Sequence, residues 1–157
     1  MPGRDPTHWL HRFTAEEWIR AGIHELHVAR DSLVRHASRP ALASARRAAG
    51  MGWNAVLALE PEPDEKFGRS YTDHLIALAS GKALDTADPT PIPDEVRAAA
   101  RKLLEEPVAS DVVQILTPRR DGALLDAVET ILAEAYSRVL RRSSAAPEGR
   151  PASGPQS

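Results

Sequence analysis

The chain has 157 residues, a formal net charge of −2 and no cysteine, with 42% apolar and 27% charged residues. This excludes a disulfide framework, thiolate metal sites, a cysteine nucleophile and a globally basic nucleic-acid binder. The 26 alanines leave a modest set of larger apolar side chains, enough for one core and too few β-branched and aromatic residues for a thick sandwich or barrel.

No stretch of the first twelve residues has signal-peptide character, and no run approaches a membrane span, so a cytoplasmic protein is expected. Arginine outnumbers lysine 17 to 3. Together with the alanine content, this points to GC-rich codons and a bacterial genome.

Asp5-Pro6 reads as a cap and first-turn proline for a short turn through His11. Thr14-Ala15-Glu16-Glu17 is a capping box, with Phe13 and Trp18 at the staple positions. The helix it opens carries the stripe Ile19, Gly22, Ile23, Leu26, Ala29, Leu33 and Ala37, and is expected to stop before Pro40. Pro40 suits the first turn of a second helix over 41–59. There Ala45, Ala48, Ala49, Gly52 and Ala55 permit close helix approach, either in an antiparallel hairpin with the first helix or in a homodimer.

Residues 60–66 read as an acidic, proline-containing loop. Ser70-Tyr71-Thr72-Asp73 resembles a helix entry, and Gly81 an end. Three prolines make 84–93 irregular. Pro93 or Asp94 starts a helix with core face Val96, Ala99, Ala100, Leu103 and Leu104, ended by Pro107. Residues 111–116 (DVVQIL) are ambiguous and favour helix, since a lone strand would leave its edges unpaired. The clearest stripe, Leu124, Leu125, Val128, Ile131, Leu132, Ala135, Tyr136 and Val139, places a last helix over about 121–142. The expectation is an all-α, up-and-down bundle of four to five main helices over 1–142, with a disordered tail over 143–157.

Three groups of side chains invite chemistry. His8 and His11, and His24 and His27, have i,i+3 spacing, but a di-iron bundle needs Glu-x-x-His and no histidine here has Glu three residues before it. Solvated or capping histidines, with no metal and no cofactor, are expected. Arg30, Arg35, Arg39, Arg46 and Arg47 cluster around the first helix-to-helix turn, with Asp31 the acidic residue among them. Arg35, Arg39, Arg46 and Arg47 are candidate phosphate ligands, without interleaved aromatics for base stacking. Arg69-Ser-Tyr-Thr-Asp-His74 is the most specific group. Near neutral pH, His74 could exchange a proton with a ribose hydroxyl while Arg69 neutralises phosphorane charge, with Tyr71 and Asp73 beside them. The bland alternative is an Arg69–Asp73 pair at the helix entry over a half-buried His74.

The layout over 18–140 resembles the HEPN family (higher eukaryotes and prokaryotes nucleotide-binding). The resembling segments are WIRAGIHELHVARDSL, ARRAAGMGWNAVLAL, TDHLIAL and ALLDAVETILAEAYSRVL. The resemblance implies a small helical bundle, often dimeric. Its members include metal-independent ribonucleases, partners of nucleotidyltransferases in toxin–antitoxin loci, and inactive binding modules. The signature of active members, Arg, four to six residues, then His, matches Arg69 and His74. Ser70 stands where a larger polar residue is usual, and the pair lies mid-chain. The leading expectation is therefore an inactive module binding RNA, a nucleotide or a protein partner. A ribonuclease using Arg69 and His74 is the alternative, and a structural adaptor without ligand a third.

Overall fold

A computed structural model describes residues 7–60, 67–81, 90–105 and 118–145. These form a 3-10 turn, Trp9–Arg12, and five α-helices: α1 (Ala15–Val34), α2 (Ser38–Leu57), α3 (Tyr71–Ala79), α4 (Asp94–Glu105) and α5 (Pro118–Ala145). The fold is all-α, with no strand among the described residues. The expected helix at 111–116 and the end of the expected tail, 146–157, lie outside them. Residues 143–145 belong to α5.

Local signals set the first elements. Thr14 Oγ1 accepts from Glu17 N at 3.1 Å, and Glu17 Oε1 accepts from Thr14 N at 2.8 Å. This reciprocal box satisfies two donors that α1 itself cannot. The Phe13 and Trp18 rings meet edge to face at 4.9 Å, and Trp18 Nε1 donates to Leu10 O, which ties the 3-10 turn to α1. The exit is tighter than the sequence suggests. His36 adopts φ 57°, with His36 N bonded to Leu33 O and Ala37 N to Ser32 O. That Schellman pattern ends α1 at Val34, well before Pro40, in a left-handed residue where glycine is usual. Pro40 is the third residue of α2. Its missing N–H costs nothing there, because the first-turn donors have no intrahelical acceptor.

α1 and α2 form the expected hairpin, and α5 lies against both. The small-residue face of α2 is consumed inside this assembly. Ala41, Ala45, Ala48, Ala49 and Ala55 are all fully buried. A Cβ added at Gly52 would sit 2.6 Å from Leu132 Cδ2, so glycine there lets α5 wedge against α2. This face is therefore not a free dimer surface, contrary to one expectation, because the monomer's own helices already occupy it.

α4 keeps its expected face, with Val96, Ala99, Ala100 and Leu103 buried and Leu104 half-buried. Two stripe residues depart from the pattern. Ile23 is 42% exposed and Tyr136 is 50% exposed. The first stripe is wider than the surface its neighbours cover, and the α5 stripe drifts past α2 toward solvent. Arg138, outside the α5 stripe, is fully buried beneath Trp53, its guanidinium carbon 5.6 Å from the indole centroid. It bonds Glu134 Oε2 at 2.8 Å and the carbonyls of Thr90 and Pro91, satisfying most of a charge that would otherwise be costly to bury.

Candidate functional site at the entry of α3

Gly68, at φ 73°, turns the chain into α3. Ser70 caps the helix: its Oγ accepts from Asp73 N at 3.0 Å, and Asp73 Oδ2 accepts from Ser70 N at 3.2 Å and Arg69 N at 3.3 Å. These donors favour the charged carboxylate, so the Asp73 pKa falls below the ordinary carboxylate value. Asp73 thus meets the backbone of Arg69, and its oxygens serve as cap acceptors. The Ser70 and Asp73 side chains are exposed, as is Arg69.

His74, one residue further, is fully buried. Its Nδ1 lies 2.6 Å from Phe67 O and its Nε2 lies 2.6 Å from Asn54 Oδ1. Burial is the main cause that pushes its pKa below the ordinary histidine value, against the opposing effects of the Phe67 carbonyl and Asp73. A neutral ring carries one N–H. Donation from Nδ1 to Phe67 leaves Nε2 an acceptor, which suits the Asn54 amide nitrogen. Asn54 Nδ2 has no partner as placed, and turning that amide by half a rotation pairs it with Nε2. The imidazole is a cross-brace joining α2, α3 and the turn at Phe67. Arg69 and His74 are neighbours in sequence, but one faces solvent and the other the interior.

Tyr71, half-buried, lies at the same entry. Its ring packs on α2 at Gly50, where an added Cβ would overlap Tyr71 Cβ. Burial raises the phenol pKa, while Arg12 and Arg47 act to lower it and Glu25 to raise it. Tyr71 therefore lies in the field of two guanidinium groups from different elements.

The arginine cluster separates. Arg46 donates from Nε to Leu103 O at 2.8 Å and from Nη2 to Leu104 O at 3.3 Å, satisfying carbonyls of the last turn of α4. Arg47 bonds Glu25 Oε1 at 3.1 Å and Ser44 Oγ at 3.0 Å. Successive positions on a helix diverge by about 100°, so these two reach different neighbours. Arg35 and Arg39 are exposed at the α1–α2 turn, and Arg30 pairs with Glu129 on α5. Among the histidines, His8 caps the 3-10 turn through Nδ1 and Leu10 N, His11 Nε2 lies 3.1 Å from Glu60 O, and His24 and His27 are exposed. No group of three metal-ligating side chains occurs among the described residues.

Two residues essential to this entry, Asn54 and Phe67, were missed by sequence reasoning. Asn54 sits inside the apolar run Trp53–Leu57, and a buried amide there demands a partner. His74, on the apolar side of a short helix, was the available one. No helix among the described residues is long and apolar enough to cross a membrane. Comparison with protein-family models, curated proteins and solved structures gave no match.

Proposed function

We propose that the chain is a HEPN-like helical binding module that takes an anionic ligand, RNA or a nucleotide, and does not cleave it. The observation carrying this reading is the enclosure of His74 between Phe67 O and Asn54. A general base must reach the proton it removes, and this imidazole has both nitrogens occupied and no solvent-facing atom. The exposed guanidinium groups at the α1–α2 turn, Arg35 and Arg39, together with Arg69 at the α3 entry, are suited to phosphate contacts. A nucleotidyltransferase-like protein partner and a toxin–antitoxin setting belong to the family resemblance and remain part of the proposal at that level.

The ribonuclease alternative rests on the Arg69-x4-His74 spacing and requires the Phe67 turn to open. Metal-free incubation with a labelled RNA oligonucleotide separates the two. The module reading expects intact RNA with the wild type and with Arg69→Ala, an exposed change that leaves the core alone. It also expects RNA anisotropy to respond to wild type and to weaken with Arg35→Ala and Arg39→Ala. Cleavage by wild type that is lost in both Arg69→Ala and a folded His74→Ala overturns it.

A further inference from the structure

The arginines of the α1–α2 turn have no aromatic neighbours in sequence, but the fold gathers rings and cations at the other end of α1. Arg12, the last residue of the 3-10 turn, lays its guanidinium carbon 5.4 Å from the Phe13 ring centroid and 5.9 Å from that of Trp18. Arg12 is exposed and Phe13 is 37% exposed, so both the cation and the ring meet solvent. Trp18 beneath them is buried and held by its bond to Leu10 O. Tyr71 borders the same corner. Its phenol lies in the fields of Arg12 and Arg47, and its ring rests on Gly50 of α2. The carboxylates Glu17 and Asp73 are committed to cap N–H groups. Glu25 pairs with Arg47, whose side chain stays 43% exposed.

Granting the RNA-binding reading, on which this rests, we infer that the corner of Arg12, Phe13 and Tyr71 is a stacking platform for unpaired bases of a single-stranded RNA whose phosphates continue to Arg39 and Arg35. A guanidinium plane and an aromatic ring take any base by its π-face, without reading its edge. The platform is already assembled, so little is lost in ordering it on binding. A duplex keeps its bases stacked on one another, so only unpaired bases can enter.

Length decides between a strand and a free nucleotide. α1 has 20 residues, so Arg12 before its start and Arg35 at its end lie about 30 Å apart. One nucleotide cannot bridge that distance, whereas several linked ones can. Arg47 lies on the way: from Gly50, where Tyr71 sits, α2 leads back past Arg47 to Arg39.

Anisotropy of a labelled RNA strand of about ten nucleotides with the full chain tests this, beside an abasic strand of equal phosphate number. The wild type is expected to bind the base-bearing strand at least about tenfold more tightly than the abasic one. Phe13→Leu keeps an apolar side chain before the capping box but removes the ring, and should bring that ratio toward one. Arg12→Gln, an exposed change, should do the same and serves if Phe13→Leu fails to fold. Arg35→Ala and Arg39→Ala should weaken both strands alike and leave the ratio unchanged. Adenosine monophosphate should displace the strand only at far higher concentration than unlabelled strand does. Equal affinity for the two strands overturns the platform, as does a ratio that Arg12→Gln leaves intact. Adenosine monophosphate competing as well as the strand overturns it in favour of a free nucleotide. Binding that needs Arg35 and Arg39 but ignores the bases removes the platform alone, whereas no binding of either strand removes the RNA reading with it.

Discussion

The entry of α3 and the α1–α5 cleft reverse what their sequences suggest. The first gathers the most reactive-looking residues in the chain and spends them on itself. Asp73 and Ser70 cap the helix, and His74 braces Phe67 and Asn54 in the interior. The second, lined by Ile19, Ile23, Leu132, Tyr136 and Val139, comes from two ordinary amphipathic stripes, yet it leaves Ile23 and Tyr136 in water. A polar side chain in a small bundle is first claimed by nearby unsatisfied backbone and amide groups, since leaving those unpaired costs about 1–3 kcal/mol each. An apolar stripe has no such local partner. Its surplus stays on the surface until another surface covers it.

Substitutions on the two sides should separate sharply. Leu26→Ala, in the core at 7% exposure, sets the upper reference at about 2–5 kcal/mol of lost stability. His74→Leu should follow, at about 1–3 kcal/mol for each group it orphans, the Phe67 carbonyl and the Asn54 amide. Tyr136→Ser, at the cleft, should cost the monomer less than about 1 kcal/mol, because half of its surface is already in water. Urea titration ranks the three. A Tyr136 effect as large as that of His74 would mean that the cleft is core and would remove the contrast.

A smaller effect follows from the histidine's protonation. The folded pKa of His74 lies below its ordinary value, chiefly through burial. The unfolded chain therefore binds the proton first as pH falls. Stability contributed by the neutral ring is complete above about pH 6.5. It declines below that as pH drops toward the lowered folded value. Wild type should be less resistant to urea at pH 5.5 than at pH 7.5, and His74→Gln should flatten that slope. An unaltered slope in the variant would assign the acid sensitivity to other groups.

Helix-level structure was largely legible because its determinants are local. The Thr14 box, the Gly81 stop and the core face of α4 all act within one or two turns. The bounds shifted where tertiary packing or an unusual residue intervened: His36 in the left-handed region closes α1 early. The chemistry was much less legible. Arg46 and Arg47 look equivalent in sequence, but one reaches the end of α4 and the other Glu25. Those assignments depend on helices more than twenty residues away or on opposite sides of one helix. The Asn54–His74 pair spans 20 residues. Spacing alone could mark His74 as noteworthy but could not say that α2 already held its partner.

The least effect is expected from removing residues 146–157, and the comparison of the two regions gives that null result its meaning. α5 extends to Ala145, and Arg142 near its end bonds Glu60 Oε2 at 2.6 Å. A chain ending after Ala145 therefore keeps that contact. The removed segment holds alanine, proline, glycine and small polar or charged residues, so it has little apolar area to offset the entropy of ordering it. Nor does it carry the spaced apolar anchors that the α1–α5 cleft would accept. The melting temperature should stay unchanged within about 1 °C, well inside the shift of roughly 2–8 °C that 1 kcal/mol produces. The sedimenting mass should fall only by the mass removed. A lower melting temperature would place the segment on the body.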